Sequence, residues 1–141
     1  MVGVENWELV LKGFKDLRRL LQREAEQLGV SVTEVQILYQ VADGPKKMGE
    51  IADMVGISKS STTELIDKME AKGLLERSRG EDKRIVYVKI TEKGSNTLNQ
   101  TRIRYKYLIE RVLKEVNEDE VIKFFQTVEE ILNSTSHETS S

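Results

Sequence analysis

The sequence predicts a mainly α fold with a small β-wing, and three observations carry that prediction. Apolar residues recur at spacings of three and four along most of the chain, the stripe a helix needs to face a partner helix. Apolar–polar alternation with a period of two is confined to the stretch around 85–90, beside a polar turn. The single proline, Pro45, and the stop signals Gly29, Gly56 and Gly73 fall between the periodic stretches. With 141 residues the chain has about one domain's worth of sequence and a modest core, so one folded unit is expected.

The elements follow in order. Trp7, Val10, Phe14, Leu17, Leu21 and Leu28 define a long first helix over 5–28, which Gly29 stops. Ser31 or Thr33 caps a second helix carrying Val35, Ile37, Leu38 and Val41, ended by Asp43-Gly44-Pro45. A short helix over 48–55 puts Ile51, Ala52 and Val55 on one face and closes at Gly56. Ser58 caps the next helix, with Thr62, Leu65, Ile66 and Met69 inward and Lys72-Gly73 at its end. Residues 74–78 and 85–90 form a two-stranded hairpin around the turn Gly80–Lys83. A fifth helix runs from Thr91 to Val116, Asn117–Glu120 breaks the chain, and a last helix carries Val121, Phe124, Phe125, Val128, Ile131 and Leu132 to Asn133. Residues 134–141, with the only histidine, His137, read as a disordered, solvated tail.

Composition excludes several classes. Charged residues make up 33% of the chain against roughly 25% for ordinary proteins, yet aliphatics are plentiful enough for a core. No run of 18 apolar residues exists and the first residues lack a basic start, so a cytoplasmic protein without membrane association is expected. The absence of cysteine removes disulfides, thiolate zinc sites and thiol-oxidation switches. No cluster with metal spacing, Gly-rich phosphate loop or nucleophile–histidine pair occurs, so neither an enzyme nor a cofactor is expected.

Charge is unevenly spread. The net charge is −2, but residues 57–94 hold nine Lys/Arg against seven Asp/Glu, while both flanks are acidic. Within it, residues 77–89 hold five basic residues, Arg77, Arg79, Lys83, Arg84 and Lys89, and two acids, Glu81 and Asp82. Just before it, Ala52-Asp53-Met54-Val55-Gly56-Ile57-Ser58 supplies what a helix-turn-helix needs: a small residue at the helix contact, glycine at the turn and an apolar plug after it. A helical hairpin of this kind followed directly by a basic β-hairpin is the order in which a helix enters the major groove while a wing reaches phosphates or the minor groove.

At these residues the chain resembles the MarR family. Ile57 to Arg77 is similar to that family's recognition helix and first wing strand, Asp82-Lys83-Arg84 to its Asp-x-Arg wing signature, and Ile90-Thr91-Glu92-Lys93-Gly94 to the start of its fifth helix. The resemblance covers residues 5–133. It implies a winged helix-turn-helix DNA-binding lobe over 31–93, flanked by dimerising helices over 5–28 and 94–133. It further implies a ligand-responsive repressor binding a pseudo-palindromic double-stranded DNA operator as a homodimer, with a cleft for a small-molecule effector between the dimer helices and the lobe.

The candidate contacts follow from helix geometry on that reading. With Leu65, Ile66 and Met69 inward, Ser60, Thr63, Glu64 and Asp67 share the opposite face. Ser60, Ser61 and Thr63 are short donors and acceptors, and Lys59 meets a phosphate near the helix N-terminus. Glu64 departs from the family pattern, in which arginine is frequent. It either accepts from a cytosine amino group or pairs with Lys68 one turn on, and Lys68 is itself a DNA-facing candidate. In the wing, Arg84 is assigned to the minor groove with Asp82 bracing it, and Arg77, Arg79 and Lys83 to phosphates.

Overall fold

A computed structural model describes the backbone of residues 5–140 and the side chains of residues 6–135. Their order is α1 (Glu5–Glu26), α2 (Val32–Val41), β1 (Lys46–Lys47), α3 (Met48–Val55), α4 (Lys59–Ala71), β2 (Leu75–Arg79), β3 (Val86–Ile90), α5 (Glu92–Val112) and α6 (Glu118–Ser140). The mainly helical class with a small wing therefore holds. Three helix C-termini differ from the sequence reading: α1 ends two residues sooner, α5 ends at Val112 instead of Val116, and α6 continues past Asn133 to Ser140. Residues 134–140 are thus helical where a disordered tail is expected, while Ser141 and the side chain of His137 lie outside the described residues.

Where one folded unit is expected, the chain forms two compact units, the first ending at Tyr105 and the second starting at Lys106. The first holds the core: Ile37, Leu38 and Val41 of α2, Ile51 of α3, Ile66 and Met69 of α4, Leu75 of β2, Val88 of β3 and Leu98 of α5 are all buried. The second keeps Ile122, Phe124, Phe125, Val128, Ile131 and Leu132 of α6 exposed.

Local chemistry explains the elements of the lobe. Ser31 and Glu34 form a capping box on α2, the Glu34 amide donating to Ser31 Oγ at 3.1 Å and the Ser31 amide to Glu34 Oε1 at 2.9 Å. Between α3 and α4, Gly56 sits in the left-handed region at φ 77°, which a side chain would strain, and its N–H donates to the Ala52 carbonyl at 2.9 Å. Ala52 is buried and Ile57, just after the turn, is half-buried.

The sheet has three strands in the order β1-β3-β2, all antiparallel, where the sequence predicts a two-stranded hairpin. The added strand is two residues long, pairing Lys46 with Val88 and Lys47 with Tyr87. Directly after a proline and without alternation, it carries no strand signal of its own; pairing with β3 creates it. On the other side β2 runs in register with β3, Leu75 opposite Ile90 and Arg79 opposite Val86.

Candidate nucleic-acid interface

Ser58 caps α4, its Oγ accepting from the Ser61 amide at 3.1 Å and donating to Ser61 Oγ at 2.9 Å. Thr62, Ile66 and Met69 are buried and Leu65 half-buried, which fixes the rotation of the helix and leaves Lys59, Ser60, Ser61, Thr63, Glu64, Asp67 and Lys68 exposed. The hydroxyls of the first turn are already engaged: Thr63 Oγ1 donates to the Lys59 carbonyl at 2.9 Å, and Ser58 and Ser60 lie 3.2 Å apart through their Oγ atoms. Thr63 therefore presents acceptor lone pairs outward while its proton stays on the helix. Glu64 and Lys68 form no ion pair, so the surface-pair alternative is not realised among the described residues.

The wing divides its cations into bound and free. Arg84, its side chain 90% exposed, lies over Asp82, with Nε 3.1 Å from Oδ1 and Nη2 3.0 Å from Oδ2, and its amide donates to the same carboxylate at 3.0 Å. These bonds hold the Asp82 carboxyl below its usual value, the Arg84 side chain contributing most, and raise the Arg84 guanidinium. Asp82 is thus positioned for the bracing role that the sequence assigns it. Arg79 donates to the Lys83 carbonyl and closes the turn from within, so its guanidinium is committed to the hairpin. Lys83 and Lys59 make no ion pair among the described residues.

Arg77 departs most from expectation. Its guanidinium, 27% exposed, bonds to Asp67 and, at 2.9 Å, to Glu70 Oε1, both on α4, and its amide donates to Glu70 Oε2 at 3.0 Å. Burial alone would lower this guanidinium, but the bonds and fields of Asp67 and Glu70 outweigh it and raise it above its usual value. In the chain as it stands, this guanidinium is occupied by two carboxylates of α4. Sequence reasoning missed the role of Asp67 and Glu70, because the partners lie ten and seven residues upstream across a turn, beyond any helical spacing rule.

Two features secure the base of the site. Glu34 is buried, and both its oxygens accept from Lys72 Nζ, at 3.3 and 3.1 Å; the same ammonium donates to the Gly29 carbonyl at 2.8 Å. The C-terminus of α4 is thereby tied to the start of α2. At the start of α5, Thr91 Oγ1 accepts from the Gly94 amide and donates to the Gly73 carbonyl, and the Thr91 amide donates to the Leu74 carbonyl.

Within the first unit α2, α3 and α5 also line a half-open pocket of about 390 Å³, mostly apolar, with Tyr39, Met54, Leu98, Arg102 and Tyr105 among its lining. Tyr105 donates its hydroxyl to the Leu21 carbonyl at 3.1 Å, and burial, then the Glu24 charge, raises its pKa. No described helix is long and apolar enough to cross a membrane.

Comparison with known proteins gives a consistent picture. A model described as MarR family matches residues 28–85, which cover α2 to the wing turn. The chain is 32% identical over 102 residues to the uncharacterized HTH-type transcriptional regulator YpoP of Bacillus subtilis, spanning 69% of this chain and 72% of that protein. It is 27% identical over 114 residues to the HTH-type transcriptional regulator MhqR of the same organism, spanning 78% and 77%. Among solved structures, the transcriptional regulator BldR from Sulfolobus solfataricus superposes with a TM-score of 0.77 at 26% identity, over 95% of this chain and 99% of that one.

Proposed function

Because the chain belongs to the MarR family of transcriptional regulators and is not an enzyme, we propose that it binds a pseudo-palindromic duplex operator as a homodimer and acts there as a ligand-responsive repressor. The observation that carries the DNA reading is the pairing, within one compact unit, of an exposed short-hydroxyl face on α4 with the exposed, carboxylate-braced Arg84 of the wing. Ser60, Ser61, Thr63 and Glu64 read base edges in the major groove. Lys59, Lys68 and Lys83 meet phosphates, and Arg84 enters the narrower, more negative minor groove. Two-fold symmetry sets two such helices about 34 Å apart, in successive major grooves. The exposed apolar residues of α1 and of α6 supply the dimer contact. The pocket between α2, α3 and α5 suits an effector with an aromatic body and an anionic or hydroxyl group, Arg102 offering the charge.

Selection of bound sequences from random duplex DNA tests this reading as a whole. Enrichment of an inverted repeat with half-sites one helical turn apart is the expected result. Recovery of no preferred sequence, at low as well as moderate salt, would remove it.

A further inference from the structure

Arg77 has the wrong neighbours for a phosphate contact. One guanidinium against the two carboxylates of Asp67 and Glu70 leaves the triad one negative charge in excess, a combination that repels a phosphate. The two carboxylates stand three residues apart on α4, one turn of the same helix whose other exposed side chains make the reading face. Glu70 holds Arg77 twice, by the guanidinium and by the backbone amide. That amide belongs to β2, an edge strand of the sheet, and points away from β3, so Glu70 occupies a donor that the ladder leaves open. Between the end of α4 and the start of β2 there are just three residues, Lys72 to Leu74. Chain connectivity fixes one end of the wing, and the Arg77 contacts fix its inclination to the helix.

We propose that Arg77, gripped by Asp67 and Glu70, is a positioning residue that sets the angle between recognition helix and wing, and is not a phosphate contact. The inference rests on the DNA reading above. A helix and a wing that must reach adjacent grooves together bind best when their mutual angle is set beforehand, since ordering them on contact costs affinity.

The sign of one double variant separates the two roles. D67N/E70Q removes two exposed negative charges and leaves Arg77 in place. If Arg77 were a phosphate contact restrained by the acids, this variant would bind the selected duplex more tightly with a steeper salt dependence. As a strut, its loss weakens binding about tenfold with the salt slope unchanged, in spite of the added positive charge. Arg77→Gln is expected to behave in the same way, and to relax base preference at the outer, wing-contacted positions more than at those under α4. Hydrogen–deuterium exchange of the free protein gives a readout without DNA: amides of residues 76–88 exchange faster in both variants while those of α4 keep wild-type protection. The carboxylates are exposed, so the double variant folds even if Arg77→Gln does not. Tighter binding by D67N/E70Q, a salt slope lowered by about one in Arg77→Gln, or unaltered wing exchange in the double variant overturns the strut. Wild-type protein that binds no duplex overturns the DNA reading, and the exchange measurement then decides the strut by itself.

Discussion

At the scale of single residues the lobe depends on a few positions with no freedom. Gly94, on the first turn of α5, is buried; a Cβ there would lie 2.2 Å from the Leu74 carbonyl oxygen and 2.9 Å from Ile90 Cγ1. The Leu74 carbonyl is also the acceptor of the Thr91 amide, so α5 cannot move off without losing that bond. Gly94→Ala is therefore expected to destabilise the protein by about 1–3 kcal/mol or more, read as a lowered urea midpoint at unchanged slope. Lys72 is the second such position. Lys72→Met leaves the buried Glu34 carboxylate without its cation; with the ammonium about a third exposed, the expected loss is roughly 1–3 kcal/mol. Adding Glu34→Gln to that variant should recover part of the loss, because an amide is cheaper to bury unpaired than a carboxylate. A double variant less stable than Lys72→Met by urea denaturation would show that Glu34 matters through its cap on α2 alone.

At the scale of elements, the proposed function divides recognition between α4 and the wing, and variants in them should separate. Among the described residues the Arg84 guanidinium pairs with Asp82 and is otherwise exposed, so Arg84→Ala is expected to weaken binding to operator and scrambled duplex alike and to lower the salt slope by about one. Thr63→Ala removes an acceptor facing outward from α4 and should instead change which base is preferred, by about 1–3 kcal/mol at one operator position. Salt titrations of each variant on both duplexes check this. Equal slopes for wild type and Arg84→Ala would make the wing a solvated hairpin.

At the scale of the molecule, the proposed homodimer rests on apolar residues that one chain leaves exposed. Helix α1 exposes Trp7, Val10, Leu11 and Phe14, and α6 exposes Phe124, Phe125, Val128, Ile131 and Leu132. Apolar area on this scale seldom stays in water on a soluble monomer. Sedimentation at micromolar concentration should give twice the 16.2 kDa chain mass with no DNA present; a stable species at the single-chain mass would remove the two-fold operator. Leu17 and Leu21, which belong to the same sequence stripe as Phe14, are half-buried within the chain. Polar substitution of Trp7, Val10 and Phe14 is therefore the cleaner dimer variant, because it leaves the packing of the single chain in place.

What the sequence by itself determined lies within a few residues of chain. The helix order, the cap at Ser58, the left-handed turn at Gly56 and the Asp82–Arg84 brace all rest on periodicity or on bonds spanning two to four positions, and all are legible as spacing, while the choice of Ser31 over Thr33 as the cap of α2 is not. The tertiary structure decided the rest. The strand Lys46–Lys47 exists by pairing with β3 some forty residues on, the grip of Asp67 and Glu70 on Arg77 crosses from a helix to a sheet edge, and Glu34 meets Lys72 from 38 positions away. Arginine looks the same in sequence whether it faces a phosphate or a carboxylate of its own chain. Which one it meets depends on the distance between packed elements, and the buried core of Ile37, Leu38, Ile51, Ile66, Met69 and Val88 sets that distance.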